Sequence, residues 1–260
     1  MDMMQKYPRI SDMVAPAERK LPKFVHAYLA AGTGIGQAMS RNEQALSEVE
    51  LMPRFLRGRV APDTSLELFG QHYAAPFGIA PVGLQSLIWP NGEALLAKAA
   101  SAHQIPYTLS TVAGADLETI GPIAGDMAWY QLYAPSDKAV MRDLLKRAKA
   151  AGFKTLVVTV DVPGPSRREE MRLAGAPIGS RNPMALTPRV FWQCMTHPSW
   201  SLAALANGGK FSFKNLVRYN KEGDGDDITT FIGRQLNGSL TWDYLAEIRA
   251  EWDGPLVVKG

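Results

Sequence analysis

Four short apolar runs in this chain end in polar residues, and where a run carries two of them they stand two positions apart. Gln131 and Tyr133 close AWYQLY, Thr159 and Asp161 close TLVVTVD, Thr108 and Ser110 close PYTLS, and Lys259 closes PLVVKG. Residues i and i+2 of a strand point to the same face. Runs this apolar read as strands of a buried parallel sheet, where an inward polar group is costly without a partner. Polar side chains gathered at the C-terminal ends of successive strands are how a (β/α)8 barrel builds an active site. The pattern therefore predicts an α/β enzyme fold.

The runs recur at a regular interval. FGIAPV, PYTLS, AWYQLY and TLVVTVD begin near residues 77, 106, 128 and 155, so successive starts lie 29, 22 and 27 residues apart. Helical patterns fill the gaps, and DKAVMRDLLKRAKAAG is the clearest. Val140, Leu144, Leu145 and Ala148 form its apolar stripe, Lys and Arg take the other face, and Gly152 stops it. Strand–helix–strand repetition with right-handed crossovers predicts a parallel sheet. Residues 1–75 precede it and carry helix-like segments and turns, including KLPKFVHAYLAAG and RNEQALSEVELMPRFL.

From Gly164 to about Leu240 the chain turns rich in Gly, Pro, Asn and Trp, with only short periodic stretches. A connection that long is expected to be a functional loop or lid. Order returns with TWDYLAEIRAEWDG, a predicted helix presenting Trp242, Leu245, Ile248 and Trp252, and then with PLVVKG. About five strands are thus expected where a closed barrel uses eight. Three more units would add on the order of 100 residues. A chain that stops at Gly260, straight after an apolar strand, would leave a parallel edge uncovered, so it reads as the N-terminal portion of a longer barrel.

Charge and cysteine usage exclude several classes. A net charge of +3 over 260 residues is too small to argue for nucleic acid. Cys194 stands alone, which rules out a disulfide framework and a cysteine-based metal site and favours a reducing compartment. The start MDMMQKYPRI lacks the apolar core of a secretory signal, and no stretch approaches the ~18 apolar residues of a membrane span. Cytoplasm is the expected location. GTGIG (Gly32, Gly34, Gly36) looks like a phosphate loop, but no strand precedes it and the dinucleotide spacing is wrong, so it reads as an ordinary loop.

Taken together, KLPKFVHAYLAAG, the APVGLQ turn, TLST, the QLY triplet, TVDVPGPSRRE and LVVKG resemble the FMN-dependent 2-hydroxy acid dehydrogenases and oxidases. That group contains glycolate oxidase, lactate oxidase and dehydrogenase, and mandelate dehydrogenase. The stretches stand in the family's order and cover nearly the whole chain. The resemblance implies a (β/α)8 TIM barrel, with residues 1–75 as a helical segment capping it and 76–260 as a partial FMN-binding barrel. It also implies a homotetramer when intact. The expected activity is oxidation of a lactate- or mandelate-like L-2-hydroxy acid to the 2-oxo acid. The electron acceptor (oxygen, quinone or a cytochrome) stays open.

The family's roles fall on positions already marked by the strand ends. Tyr28 resembles the tyrosine that binds the substrate carboxylate, Tyr133 the tyrosine facing its hydroxyl, and Arg168 an arginine near the substrate. Asp161 matches the carboxylate that orients the catalytic histidine. Pro81, Val82 and Gly83 match the turn whose backbone meets the flavin ring; Ser110, Gln131 and Thr159 match side chains on its polar edge; Lys259 matches the lysine beside flavin N1. No metal ligand is expected. Read alone, Tyr28 would be an amphipathic core tyrosine, Gln131 and Thr159 partners for buried backbone, and Asp161 a strand-end turn residue.

Two features depart from the family. Its histidine base, in a Ser-Asn-His-Gly-Gly stretch, and the carboxylate-clamping arginine that closely follows have no counterpart here, and none of His26, His72, His103 and His197 lies at a strand C-terminus. Val82 stands where several members have threonine. The resulting alternatives are an inactive truncated barrel, or another FMN barrel enzyme such as an isomerase. Finally, residues 184–206 place Phe191, Trp192, Met195 and Trp200 beside Arg181, Arg189, Lys210 and Lys214. This segment reads either as a lid on the barrel mouth or as a peripheral contact at the inner face of a membrane.

Overall fold

The computed structural model describes residues 3–162, 168–175, 187–209, 211–220, 228–236 and 240–260. The helices are α1 (Met3–Lys6), α2 (Val14–Lys20), α3 (Lys23–Ala30), α4 (Gln37–Ser47), α5 (Gln85–Ile88), α6 (Gly92–Ala102), α7 (Leu117–Ala124), α8 (Lys138–Ala150), α9 (Glu169–Leu173), α10 (Pro188–Thr196), α11 (Pro198–Ala206), α12 (Ile228–Gln235) and α13 (Trp242–Glu251). The strands are β1 (Leu66–Leu68), β2 (Gln71–Tyr73), β3 (Tyr107–Ser110), β4 (Ala128–Tyr133), β5 (Thr155–Thr159) and β6 (Leu256–Lys259).

Strands β3, β4, β5 and β6 form one parallel sheet in sequence order, wound by α7, α8 and α13. The expected first strand, FGIAPV, is reduced to a single bridge. Ile79 pairs with Tyr107, donating to the Pro106 carbonyl at 2.7 Å and accepting from the Thr108 N–H at 3.0 Å. Pro76 and Pro81 bracket it and have no N–H to extend the ladder. Hence the described residues hold four parallel strands and a bridge, not five strands.

Register fixes which side chains share a face. Ser110 pairs with Gln131, Gln131 with Val157, Tyr133 with Thr159, and Thr159 with Lys259. With a period of two, Thr108, Ser110, Trp129, Gln131, Tyr133, Thr155, Thr159 and Lys259 all lie on one face. The alternate residues Tyr107, Leu109, Tyr130, Leu132, Leu156 and Val158 are buried on the opposite face against Ile120, Leu144, Leu145 and Ile248 of the wound helices. Each such leucine or isoleucine contributes ~1.5–3 kcal/mol of burial. Beneath the polar face, the β1–β2 hairpin turns through Phe69 and Gly70, both with positive φ. It borders an open apolar pocket of about 280 Å³ lined in part by Leu66, Leu68, Phe77 and Trp129.

Helix α8 follows its sequence pattern with one exception. Asp137 caps it by accepting from the Ala139 N–H, and Gly152 ends it at φ +88°. Arg147, expected on the outer face, is buried. Its guanidinium donates to both carboxylate oxygens of Glu118 at 2.7 and 2.9 Å, to the Asn215 carbonyl and to the Tyr219 hydroxyl. In α13, Thr241 accepts from the Tyr244 N–H, which sets the inward stripe as Tyr244, Ile248 and Trp252 and leaves Trp242 exposed, contrary to its expected place. The span 164–240, expected as a loop with short periodic stretches, contains α9, α10, α11 and α12 among its described residues. A second core cluster joins α3, α5, α10 and α11 through Phe24, Val25, Leu87, Val190 and Trp200.

Replacing Arg147 with Met should destabilise the chain by on the order of 2 kcal/mol, the cost of breaking a buried pair discounted because Glu118 is half exposed. The bond to Arg147 holds the Glu118 carboxyl at about 2, below its ordinary 4.5. The pair's stabilisation is therefore full above pH 4.5 and is lost as pH falls toward 2. Urea unfolding at pH 7 and pH 3 checks both: the variant's deficit should shrink at the lower pH.

Candidate active site

The polar residues of the sheet face are linked to one another. The Ser110 hydroxyl donates to Gln131 Oε1 at 3.0 Å, and Gln131 Nε2 donates to Thr159 Oγ1 at 2.9 Å. All three side chains are buried, so the row spans three strands without a polar group left alone. Thr111, which the sequence reading passed over, fixes the top of this row. Its Oγ1 donates to the Gln131 carbonyl at 2.6 Å and accepts from the Tyr133 N–H at 3.0 Å. Only its place directly after Ser110 hinted at that role.

Helix α3 brings Tyr28 to the same end. Phe24 and Val25 face the second core, and Tyr28 lies four and three residues further on, on the same side. Its hydroxyl donates to the Gly83 carbonyl at 2.7 Å. A Cβ on Gly83 would stand 2.9 Å from Val112 Cγ2 and 3.0 Å from that hydroxyl, so only glycine lets the turn come this close. Pro81 and Val82, half-buried, lead into it. Buried Glu93, also missed, supports the next loop by accepting from the Ser86 hydroxyl and from the Gly114 N–H at 2.8 Å. In sequence it reads only as an acidic residue in a helix's first turn.

Charge converges here as well. The Arg168 guanidinium lies 6.0 Å from the Tyr28 ring centre, and its Nη1 donates to the Tyr28 carbonyl at 3.3 Å. Arg167 beside it, like Arg181 and Lys210 of the later segment, lies outside the described residues. Burial pushes the Tyr28 hydroxyl up to about 12 despite the opposing pull of Arg168. Burial also raises Tyr133, with Asp161 adding to the rise and Arg168 opposing it. Both phenols therefore stay protonated near neutral pH and act as donors. Lys259 Nζ stands 3.9 Å from Asp161 Oδ2, a half-exposed pair worth little by itself.

The histidine that the family resemblance pairs with Asp161 has no counterpart among the four of this chain, as expected from their positions. His26 faces Glu18, His72 faces Glu67, His197 Nδ1 contacts the Gln193 carbonyl, and His103 caps α6. The GTGIG segment is a loop with positive φ at Gly34 and Gly36, tied to α9 by Gly34 N–H donating to Glu169. No group of three or more potential metal ligands occurs among the described residues.

A family profile described as FMN-dependent dehydrogenase matches residues 17–260. The chain belongs to this family. It is 40% identical over 251 residues to an L-lactate dehydrogenase of Ectopseudomonas mendocina (strain ymp), covering 96% of this chain and 65% of that protein. The crystal structure of the monotopic membrane protein (S)-mandelate dehydrogenase superposes with a TM-score of 0.86 at 27% identity, over 96% of this chain and 65% of that one. The crystal structure of a mandelate oxidase gives 0.76 at 29% identity, over 98% and 62%. The described sheet and helices are accordingly a portion of the (β/α)8 barrel of this family, and the chain spans about 65% of the length of that L-lactate dehydrogenase.

Gln131→Leu tests the row directly. It would leave the Ser110 and Thr159 hydroxyls facing an apolar group in a buried site, at ~1–3 kcal/mol. Urea unfolding should lose that much; a change below about 0.5 kcal/mol, the range of ordinary surface substitutions, would mean that the row contributes nothing.

Proposed function

We propose that this chain provides the flavin- and acid-binding part of a site that oxidises a lactate- or mandelate-like L-2-hydroxy acid to the 2-oxo acid, with FMN as cofactor. The observation behind it is the buried Ser110–Gln131–Thr159 row with Tyr28 and Arg168 at the same end. The residues suit FMN. The row offers both donors and acceptors to a polar ring edge, and the glycine-only packing of the Gly83 turn on Val112 and the Tyr28 hydroxyl fixes that turn beside them. Pro81, Val82 and Gly83 would hold the ring face, Ser110, Gln131 and Thr159 its edge, and Lys259 would supply a fixed cation for charge arriving on reduction. When bound, FMN supplies the sink for the two electrons leaving the α-carbon.

The remaining steps belong to the chain's own groups. Arg168 keeps guanidinium N–H donors beyond the one on Tyr28, and these would pair with the acid's carboxylate. The Tyr28 hydroxyl would turn from the Gly83 carbonyl to donate to the same carboxylate, and Tyr133 would donate to the substrate oxygen. Neither phenol can take the hydroxyl proton near pH 7, because burial holds both above their ordinary value. None of the four histidines stands at a strand C-terminus to take it: His26, His72 and His197 face Glu18, Glu67 and the Gln193 carbonyl, and His103 ends α6. Asp161 would steady the positive charge that develops on the proton acceptor.

FMN titration followed by flavin fluorescence should show saturable quenching. Addition of L-lactate or (S)-mandelate should then perturb the flavin spectrum saturably. Tyr28→Phe should weaken acid binding about tenfold or more, the scale of a hydrogen bond to a charged group, and leave FMN binding intact. Absence of FMN binding, or identical acid binding by the variant, would end this reading. This chain should give no steady turnover, and sustained 2-oxo acid production by it would contradict the lack of a histidine at the site.

The same reading extends to a peripheral seat at the inner face of a membrane through α10 and α11. Phe191, Trp192, Met195, Leu202 and Leu205 are exposed there, with Arg189 and Lys214 nearby in the chain. Trp200, expected in this patch, is buried instead, and residues 184–186 lie outside the described residues. No described helix is long and apolar enough to cross a membrane. In flotation with anionic vesicles, the chain should rise with the lipid and Phe191→Asp/Trp192→Asp should stay below. Equal flotation would remove the membrane seat.

A further inference from the structure

Two side chains on the inward sides of α10 and α11 reach the elements that carry the site. Gln193 uses both ends of its amide. Its Oε1 accepts from the Phe24 N–H at 2.8 Å, and its Nε2 donates to the Ala174 carbonyl at 2.9 Å. Phe24 is one turn before Tyr28, and Ala174 caps the helix whose first residue follows Arg168. Trp200 donates its indole N–H to the carbonyls of Leu87 and Ile88 at 3.1 and 3.2 Å, at the end of the helix that follows Gly83. Its ring meets Phe24 edge-on and stacks on Phe211, both at 5.8 Å.

These contacts fall where helices have groups of their own to satisfy. The first N–H groups and last carbonyls of a helix have no intrahelical partner. The Phe24 N–H in the first turn of α3 and the Leu87 and Ile88 carbonyls ending α5 are such groups, and each is met by a side chain from the later segment. Both helices are short, eight and four residues, so end partners weigh heavily in their order.

We propose that Gln193 and Trp200 are positioning residues that fix Tyr28 and the Pro81–Gly83 turn relative to Arg168. The meaning of those three for an acid and a flavin rests on the function proposed above; the clamp itself is read without any cofactor. Because Gln193 and Trp200 sit on the inward side of the helices whose outward side is apolar, seating of that face and order in the site share the same two helices.

Hydrogen exchange by mass spectrometry on the full chain tests this. Gln193→Met keeps the volume and removes both hydrogen bonds. Exchange should rise about tenfold in residues 24–30 and 170–175 and stay unchanged in 128–133 and 155–159. Gln193→Glu keeps an acceptor for the Phe24 N–H and loses the donor to Ala174, so protection should return in 24–30 alone. Trp200→Phe keeps the ring packing and removes the N–H; exchange should rise in 84–92, and FMN affinity should fall severalfold. Unchanged exchange in Gln193→Met, a uniform rise along the chain, or no separation of the two segments by Gln193→Glu would overturn the clamp. Unaltered FMN affinity in both Gln193→Met and Trp200→Phe would overturn the positioning role and leave the proposed function standing. Failure of the unsubstituted chain to bind FMN would remove the proposed function, with the exchange pattern still deciding the clamp.

Discussion

The Gln131 amide is the pivot of this structure. It is itself buried, in the second strand of a four-stranded sheet, where an unpaired polar group would be costly. Its two ends meet different strands: the oxygen takes the Ser110 hydroxyl and the nitrogen gives to Thr159. That arrangement demands one register. A slip of one residue would send every side chain of a strand to the opposite face, exposing Leu109, Leu132 or Val158 to the polar side and burying the hydroxyls among leucines. The polar row and the apolar core are thus two consequences of a single alignment.

From that alignment follows the electrostatic character of the mouth. Ser110 and Gln131 lie in the same layer, and Tyr133, Thr159 and Lys259 in the next, so donors and a cation come to one rim. Helix α3 and the turn at Gly83 complete the rim with Tyr28, and Arg168 leans on it from the later segment. The two phenols are neutral donors, Arg168 and Lys259 are positive, and Asp161 is paired loosely with Lys259 at 3.9 Å. Such a rim favours an anionic guest and offers no ready base. The proposed division of labour, binding and charge stabilisation here and proton abstraction by a different group, follows from those signs.

The sheet was legible because its signals are local and periodic. Apolar runs with polar residues at their ends named β3, β4, β5 and β6, and the same period placed Ser110, Gln131 and Thr159 on one face. FGIAPV reads as well by composition, yet its flanking prolines confine it to one bridge. Arg147 and Trp242 were misplaced because helical periodicity assigns a face without knowing what meets it. Arg147 is held inward by Glu118, Asn215 and Tyr219, which come from distant parts of the chain. Trp242 is held outward because the Thr241 cap sets the helix phase on Tyr244. Thr111 and Glu93 were invisible for a related reason: each acts by satisfying backbone groups of another element, and no sequence spacing encodes that.

The later segment was the least legible, and α10 shows why. Val190, Gln193 and Cys194 lie on its inward side, whereas Phe191, Trp192 and Met195 face out. In water a surface helix turns its polar side outward and its apolar side in. Here the outward side is aromatic, and the inward side spends a glutamine on two backbone groups of other helices. A sequence reader applying the usual rule would bury Trp192 and expose Gln193. The inversion makes sense if the outward side meets an apolar phase, as proposed, since burying Phe191 and Trp192 there would return the area that folding leaves exposed, at ~25 cal/mol per Å². It also explains the glutamine: a helix that cannot use its largest apolar side chains to grip the protein must hold on by hydrogen bonds, helped by Trp200, the indole that the following helix α11 keeps inside.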